Sequence, residues 1–232
     1  MCTDLCGWLH KELSSLQEIK YPFDLQSLPT TGIYFFYEIG EIGKGHDDKP
    51  RIVRIGTAGV GNFKNRIASH FLFNEEKMKF TVDQPKPADM SIFRKNIGRA
   101  LLKKNKSDYL KVWNIDFILK QNRERYMQMR DIEKEIKIEQ QVTNLLRKEF
   151  RFRYLVFREN PFQMEAKIIS TVNRCKFCSP SPEWFGIFSP KPNIQKSGLW
   201  QEQHLKGGIL EKEDIHILKD CIKETKKFLE RK

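Results

Sequence analysis

Two β-forming runs joined by a glycine- and aspartate-rich stretch constrain this chain more than any other feature. Residues 32–39 (GIYFFYEI) are aromatic and β-branched. The tip that follows carries Gly40, Gly43, Gly45, Asp47 and Asp48 before Pro50, and RIVRI at 51–55 returns as a second strand, ended by Gly56. The pattern predicts a long-tipped antiparallel hairpin and excludes an all-helical architecture.

Around the hairpin the pattern is helical. Leu5, Trp8, Leu9, Leu13 and Leu16 recur at three-to-four spacing, predicting a helix over 4–19. Asn62 is placed to cap a helix bearing Phe63, Ile67 and Phe71 on one face, and Ser91 or Asp89 to cap one over 91–104. A charged helix is expected over 129–149, a short strand over 153–157, and a helix opened by Asn160-Pro161 that runs to about Val172. A Pro/Ser-rich aromatic loop follows over 179–200, then an amphipathic helix over 212–230. Together these predict an α+β fold: a small mixed or antiparallel sheet flanked by helices. No repeat or long linker divides the chain, so one domain over 1–232 is the simplest organisation.

Composition narrows the partners. The 42 Lys+Arg against 30 Asp+Glu leave a formal charge of +12, which favours an anionic polymer such as nucleic acid. An anionic membrane surface is the competing partner, but it calls for a basic amphipathic helix or a lipid signal. The longest apolar run, 33–37, is far short of the ~20 residues that span a bilayer. Asp4, His10, Lys11 and Glu12 interrupt any leader-like start, so neither secretion nor a membrane location is expected. Five cysteines, odd in number and unevenly spread, fit reduced thiols in a cytoplasmic setting. Cys175-x-x-Cys178 has zinc-knuckle spacing, and Cys2 and Cys6 would complete a four-sulfur site if the chain start lay against that loop. The alternative is small buried or surface thiols.

Several positions carry chemistry. Arg66 and His70 are four apart on one helix and share a face beside the Ile67/Phe71 stripe. A guanidinium there can fork onto a phosphate, and an imidazole one turn away can move a proton near neutral pH. Glu165 falls on the stripe of Phe162, Ile169 and Val172, where a carboxylate is costly unless it is paired or holds a metal. Lys167 or Arg158 would be the neutralising partner in the first case. Lys95, Arg99, Lys103 and Lys106 are expected on the face of their helix opposite Phe93, Ile97 and Leu101, as a solvated stripe or a track for phosphates.

The order Gly32-Ile33-Tyr34, Arg54-Ile55-Gly56, Arg66, His70, Glu165 resembles the GIY-YIG nuclease family, over about Thr31 to Leu205 and leaving both terminal helices outside. The resemblance implies a DNA endonuclease that hydrolyses phosphodiesters with one divalent metal, Mg2+ or Mn2+, held by Glu165. It implies that Arg66 stabilises the phosphate, that Tyr34 or His70 activates water, and that Asn193 matches the family's late asparagine. A restriction or defence enzyme without a separate DNA-reading domain is the implied biology, with a homodimer as one route to double-strand cleavage. The second tripeptide departs from the family, since Arg54 stands where it has tyrosine and the tip between the tripeptides is extended. An arginine cannot accept a proton. Arg54 is therefore either an added electrostatic group, a strand end in water, or the sign of a nucleic-acid-binding protein that has lost catalysis.

Overall fold

The computed structural model describes residues 2–231, with side chains described from Asp4 to Arg231. In chain order the elements are α1 (Cys2–Ser14), β1 (Ile19–Lys20), β2 (Gly32–Ile42), β3 (Pro50–Thr57), α2 (Phe63–Phe71), α3 (Ile92–Lys104), α4 (Leu110–Trp113), α5 (Lys120–Tyr126), α6 (Ile132–Glu149), β4 (Phe150–Val156), α7 (Phe162–Asn173), α8 (Pro192–Ser197) and α9 (Lys212–Glu230). The result is an α+β fold. The sheet runs β1-β4-β2-β3 with every neighbouring pair antiparallel.

Strand β2 lies at the centre, and its continuous apolar run follows from burial on both faces. Alternation sends Tyr34 and Phe36 into one core with Phe63, Phe71, Phe93, Trp113 and Phe152. Ile33, Phe35 and Tyr37 enter the other, with Leu9, Leu13, Ile168 and Val172. Helices α2, α3 and α6 cover the first face, while α1 and α7 cover the second, giving a sheet between two helical layers.

The edge strand β3 is protected rather than left open. Its register slips one residue between Phe36↔Arg54 and Tyr37↔Ile52, and the Val53 carbonyl at this bulge accepts the Trp200 N–H at 2.7 Å. The Ile55 N–H donates to Gln201 Oε1 at 2.9 Å. The segment around residues 199–201 thus occupies hydrogen-bonding groups that an edge strand would otherwise present to other chains.

Helix starts follow local chemistry. Ser91 Oγ accepts the Arg94 N–H at 3.4 Å at the head of α3, and Asp131 Oδ1 accepts the Lys134 N–H at 3.0 Å at the head of α6. The latter cap starts the charged helix at Ile132 rather than 129. Strand β4 begins at Phe150, three residues before the expected start, because Phe150 and Phe152 join the same core as Phe36.

The basic face expected on α3 is corrected by the packing. Lys95 is buried, with Nζ 2.9 Å from Asp89 Oδ1 and 3.0 Å from the Ile115 carbonyl. Arg99 is buried too, donating at 2.7 Å to both Asn114 and Asn96 side-chain oxygens. Neither is available to a nucleic-acid backbone. Lys103 is exposed and donates to the Ser189 carbonyl at 3.2 Å, whereas Lys106 lies beyond the helix end with φ of 50°. Among the described residues, no helix is long and apolar enough to cross a membrane.

Candidate active site

Tyr34 sits on the central strand, opposite Gly56 on β3 and Tyr154 on β4. Its ring lies across Gly56, where a Cβ would collide with the Tyr34 hydroxyl. The glycine of the second tripeptide is therefore what lets the phenol lie flat over the strand pair. The ring is fixed by edge contacts with Phe36, at 5.5 Å between centroids, and Phe63, at 6.0 Å.

Behind the phenol, away from solvent, stands His70. Its Nε2 is 2.9 Å from the Tyr34 hydroxyl and its Nδ1 is 2.8 Å from Ser91 Oγ. Both ring nitrogens are therefore satisfied within the fold. Burial pushes the His70 pKa well below the ordinary imidazole value, and Arg54, Arg66 and Arg94 push it further the same way. The imidazole is neutral at physiological pH.

Arg54 is 7% exposed, which overturns the reading of a strand end in water. Its guanidinium donates to the Trp200 carbonyl at 2.6 Å and lies 4.9 Å from the Phe93 ring centroid. Its Nε has no hydrogen-bond partner. Buried donors are almost always satisfied, and this one, enclosed within the fold, is left unpaired, while the guanidinium's positive charge stands at the groove wall.

Glu165 projects from the first turn of α7, partly buried, onto the same groove as Tyr34, Arg54 and Arg66. Burial raises its pKa above the usual carboxylate range, opposed by Arg54, His204, the Thr57 backbone N–H and Arg66. Lys167 does not neutralise it, being paired with Asp214 at 2.9 Å, and Arg158 pairs with Glu224 at 2.7 Å. Arg66 makes no side-chain hydrogen bond or ion pair with any described residue. The groove encloses about 440 Å³ and is also lined by Thr57, Asn96, Gln201, Glu202, Gln203 and His204. A single carboxylate without an ion-pair partner, beside two arginines and an open cleft, suits a hard cation completed by water and phosphate oxygens.

The fold thus brings Tyr34, Arg54, Arg66 and Glu165 to one groove and sets His70 behind Tyr34. Asn193 stands exposed on α8 and is not among the groove-lining residues. The amides on the wall are Asn96, Gln201 and Gln203. Sequence reasoning missed His204, a loop residue in the left-handed region at φ 61°, for which spacing offered no signal. It marked Ser91 only as a cap, although the same oxygen also meets His70. A larger cavity of about 650 Å³ between the end of β4, α7 and α9 holds the Lys167–Asp214 pair and apolar groups such as Met164 and Ile217. Its lining sets Arg158 and Lys167 against Glu159, Asp214, Asp220 and Glu224, a net negative surface that disfavours a phosphate, so size alone does not identify the reactive centre.

Against known proteins, the family model described as a GIY-YIG domain matches residues 4–228. The match reaches into both terminal helices, which the motif resemblance had left outside. No curated protein and no solved structure is significantly similar to the chain.

Proposed function

The chain belongs to the GIY-YIG domain family, and from that premise we propose that it is a divalent-metal-dependent endonuclease acting on DNA. Endonuclease activity and metal dependence are general in that family. The single observation that carries the reading here is the groove in which Glu165, without an ion-pair partner, faces Tyr34, Arg54 and Arg66.

Glu165 would hold the metal, Mg2+ or Mn2+, which when bound withdraws charge from the scissile phosphate and the departing oxygen. The chain's own groups do the rest. With the His70 proton on Nδ1, donated to Ser91 Oγ, the Tyr34 hydroxyl donates to His70 Nε2 and turns its oxygen lone pairs toward the groove. A water there gives its proton to Tyr34 as it attacks phosphorus, and the phenolic proton is taken up by His70. Burial and the neighbouring arginines keep Nε2 unprotonated and so available to the phenol, and they oppose a lasting charge on it, so the proton rests there only while the phosphate carries its added negative charge. Because His70 is buried behind the phenol, it is a positioning residue rather than the group in contact with water. Arg66, with the positive charge of Arg54 beside it in the groove wall, stabilises the charge that develops on the phosphate. Arg54 in this account supplies charge where the family has a tyrosine, and a single tyrosine carries the base function.

A restriction or defence role is the finer reading, supported by His70 standing one turn after Arg66, as the resemblance to the restriction-enzyme members implies. The test is incubation of the purified protein with supercoiled plasmid, single-stranded DNA and RNA in Mg2+, Mn2+ or EDTA. The expected result is metal-dependent DNA cleavage that Glu165→Ala abolishes while binding persists. Binding without cleavage in any metal, unchanged by that substitution, would instead establish a catalytically silent member of the family.

A further inference from the structure

On the second face of the sheet, away from Tyr34, four soft ligands converge from three separate parts of the chain. Cys6 comes from α1, His46 from the tip between β2 and β3, and Cys175 and Cys178 from the turn after α7. Their ligand atoms all lie within 4.8 Å of one another, and all four residues are buried. We propose that Cys6, His46, Cys175 and Cys178 form a structural zinc site.

The geometry is that of a coordination shell. For zinc–sulfur bonds of about 2.3 Å and zinc–nitrogen bonds of about 2.0–2.1 Å, a tetrahedron has sulfur–sulfur edges of about 3.8 Å and sulfur–nitrogen edges of about 3.6 Å. Cys6 Sγ and Cys178 Sγ are 3.5 Å apart, and His46 Nε2 is 3.3 Å from Cys175 Sγ and 3.5 Å from Cys178 Sγ. Three thiols and an imidazole turned inward on one another would otherwise be a buried polar cluster held only by weak sulfur hydrogen bonds. Three sulfurs and one nitrogen from four buried residues select Zn2+ over Mg2+ or Ca2+.

The surroundings are built to hold His46 in place. His10 stacks on it at 4.5 Å between ring centroids, with planes 22° apart, and Phe177 meets it edge-on at 5.7 Å. Gly45, with φ of 116°, passes so close to the Phe177 ring that a Cβ would lie 2.6 Å from it. Only glycine lets the hairpin tip curl down over the turn that carries Cys175 and Cys178. This gives the long tip a purpose: it delivers the one ligand that strands β2 and β3 contribute. The metal would tie α1, the β2–β3 hairpin and the end of α7 together, and so fix the strand pair bearing Tyr34 and Arg54 relative to the helix bearing Glu165. It stands independently of the nuclease reading.

The full-length chain, purified from zinc-supplemented cells, should contain one zinc per chain by elemental analysis, retained after dialysis against EDTA that removes Mg2+. Replacement by Co2+ should give the intense visible bands of tetrahedral cobalt with thiolate charge transfer. Cys175→Ser/Cys178→Ser should lose the metal, whereas His46→Cys should keep it. Should the serine variant fail to fold, the wild-type stoichiometry and the cobalt spectrum still decide. Metal-free, cooperatively folded wild-type protein whose Tm is unmoved by added zinc would overturn the proposal, as would iron in place of zinc or a Cys6–Cys178 disulfide in the mass spectrum.

Discussion

Tyr34→Phe removes one oxygen from the molecule and separates chemistry from packing. The ring keeps its contacts with Phe36 and Phe63 and still lies over Gly56. What is lost is the 2.9 Å hydrogen bond to His70, whose Nε2 is left buried without a partner. An unsatisfied buried group of this kind costs about 1–3 kcal/mol, leaving a typical domain folded. Loss of the group that accepts the water proton should cost about 10²- to 10⁴-fold in rate, or about 3–5 kcal/mol of barrier. The kinetic effect should therefore exceed the effect on stability. Urea denaturation gives the second quantity, and single-turnover cleavage of a plasmid in saturating Mg2+ gives the first. Gly56→Ala, whose methyl would meet the Tyr34 hydroxyl, should reproduce the kinetic loss with the tyrosine still present. A Tyr34→Phe protein that cleaves within about tenfold of wild type, below the range for a catalytic base, while losing the expected stability would refute the base assignment and leave Tyr34 a core residue with a hydrogen bond.

Other substitutions probe separate parts of the account. Lys95→Ala should lower stability by about 3 kcal/mol or somewhat less, because it strips a buried partner from Asp89 while Lys86 remains. The salt dependence of DNA binding should be unchanged, and a reduced salt slope would restore Lys95 to the DNA interface. Glu38, whose carboxylate accepts from the Trp184 and Trp200 indoles, has its pKa pushed up to about 7 by burial. The folded carboxyl keeps its proton where the unfolded one ionises, so stability falls as pH rises from about 4.5 to 7. Glu38→Gln should accordingly be the more stable protein above pH ~7 and lose that advantage below pH ~4.5, and a pH-independent difference in Tm would contradict the assignment. His70 has the opposite linkage: its folded pKa is depressed, so its contribution is present above pH ~6.5 and lost as pH falls below it. His70→Asn should flatten the wild-type decline in Tm on that acid side, and an equally steep decline would show that another group controls it.

Much of the layout was legible because its determinants are local. The hairpin, the Asn160-Pro161 helix start and the Arg66/His70 spacing each depend on a few adjacent residues. Gly32-Ile33-Tyr34 and Arg54-Ile55-Gly56 were readable as tripeptides, and their pairing in one register explains the glycine in the second. What stayed hidden depends on tertiary neighbours. Lys95 and Arg99 read as a solvated stripe until Asp89, Asn96 and Asn114 are seen to bury and bond them. Glu165 read as a residue among Phe162 and Ile169, but Phe162 is itself 47% exposed and the apolar face of α7 is Met164, Ile168, Ile169 and Val172. The cysteine pair at 175 and 178 was visible, whereas His46 lay in a loop chosen for its glycines and Cys6 sits well over a hundred residues away. The Cys2 side chain, suggested as a further ligand, lies outside the described residues.

Glu165 carries the claim that this groove cuts DNA. Glu165→Gln keeps size and hydrogen-bonding capacity but removes the charge that holds the metal, so single-turnover cleavage in Mg2+ should fall by at least about a hundredfold. DNA affinity measured on the same preparations in EDTA should stay close to wild type. Wild-type cleavage that proceeds in EDTA, or a Glu165→Gln protein that cuts at the wild-type rate in Mg2+, would contradict the account.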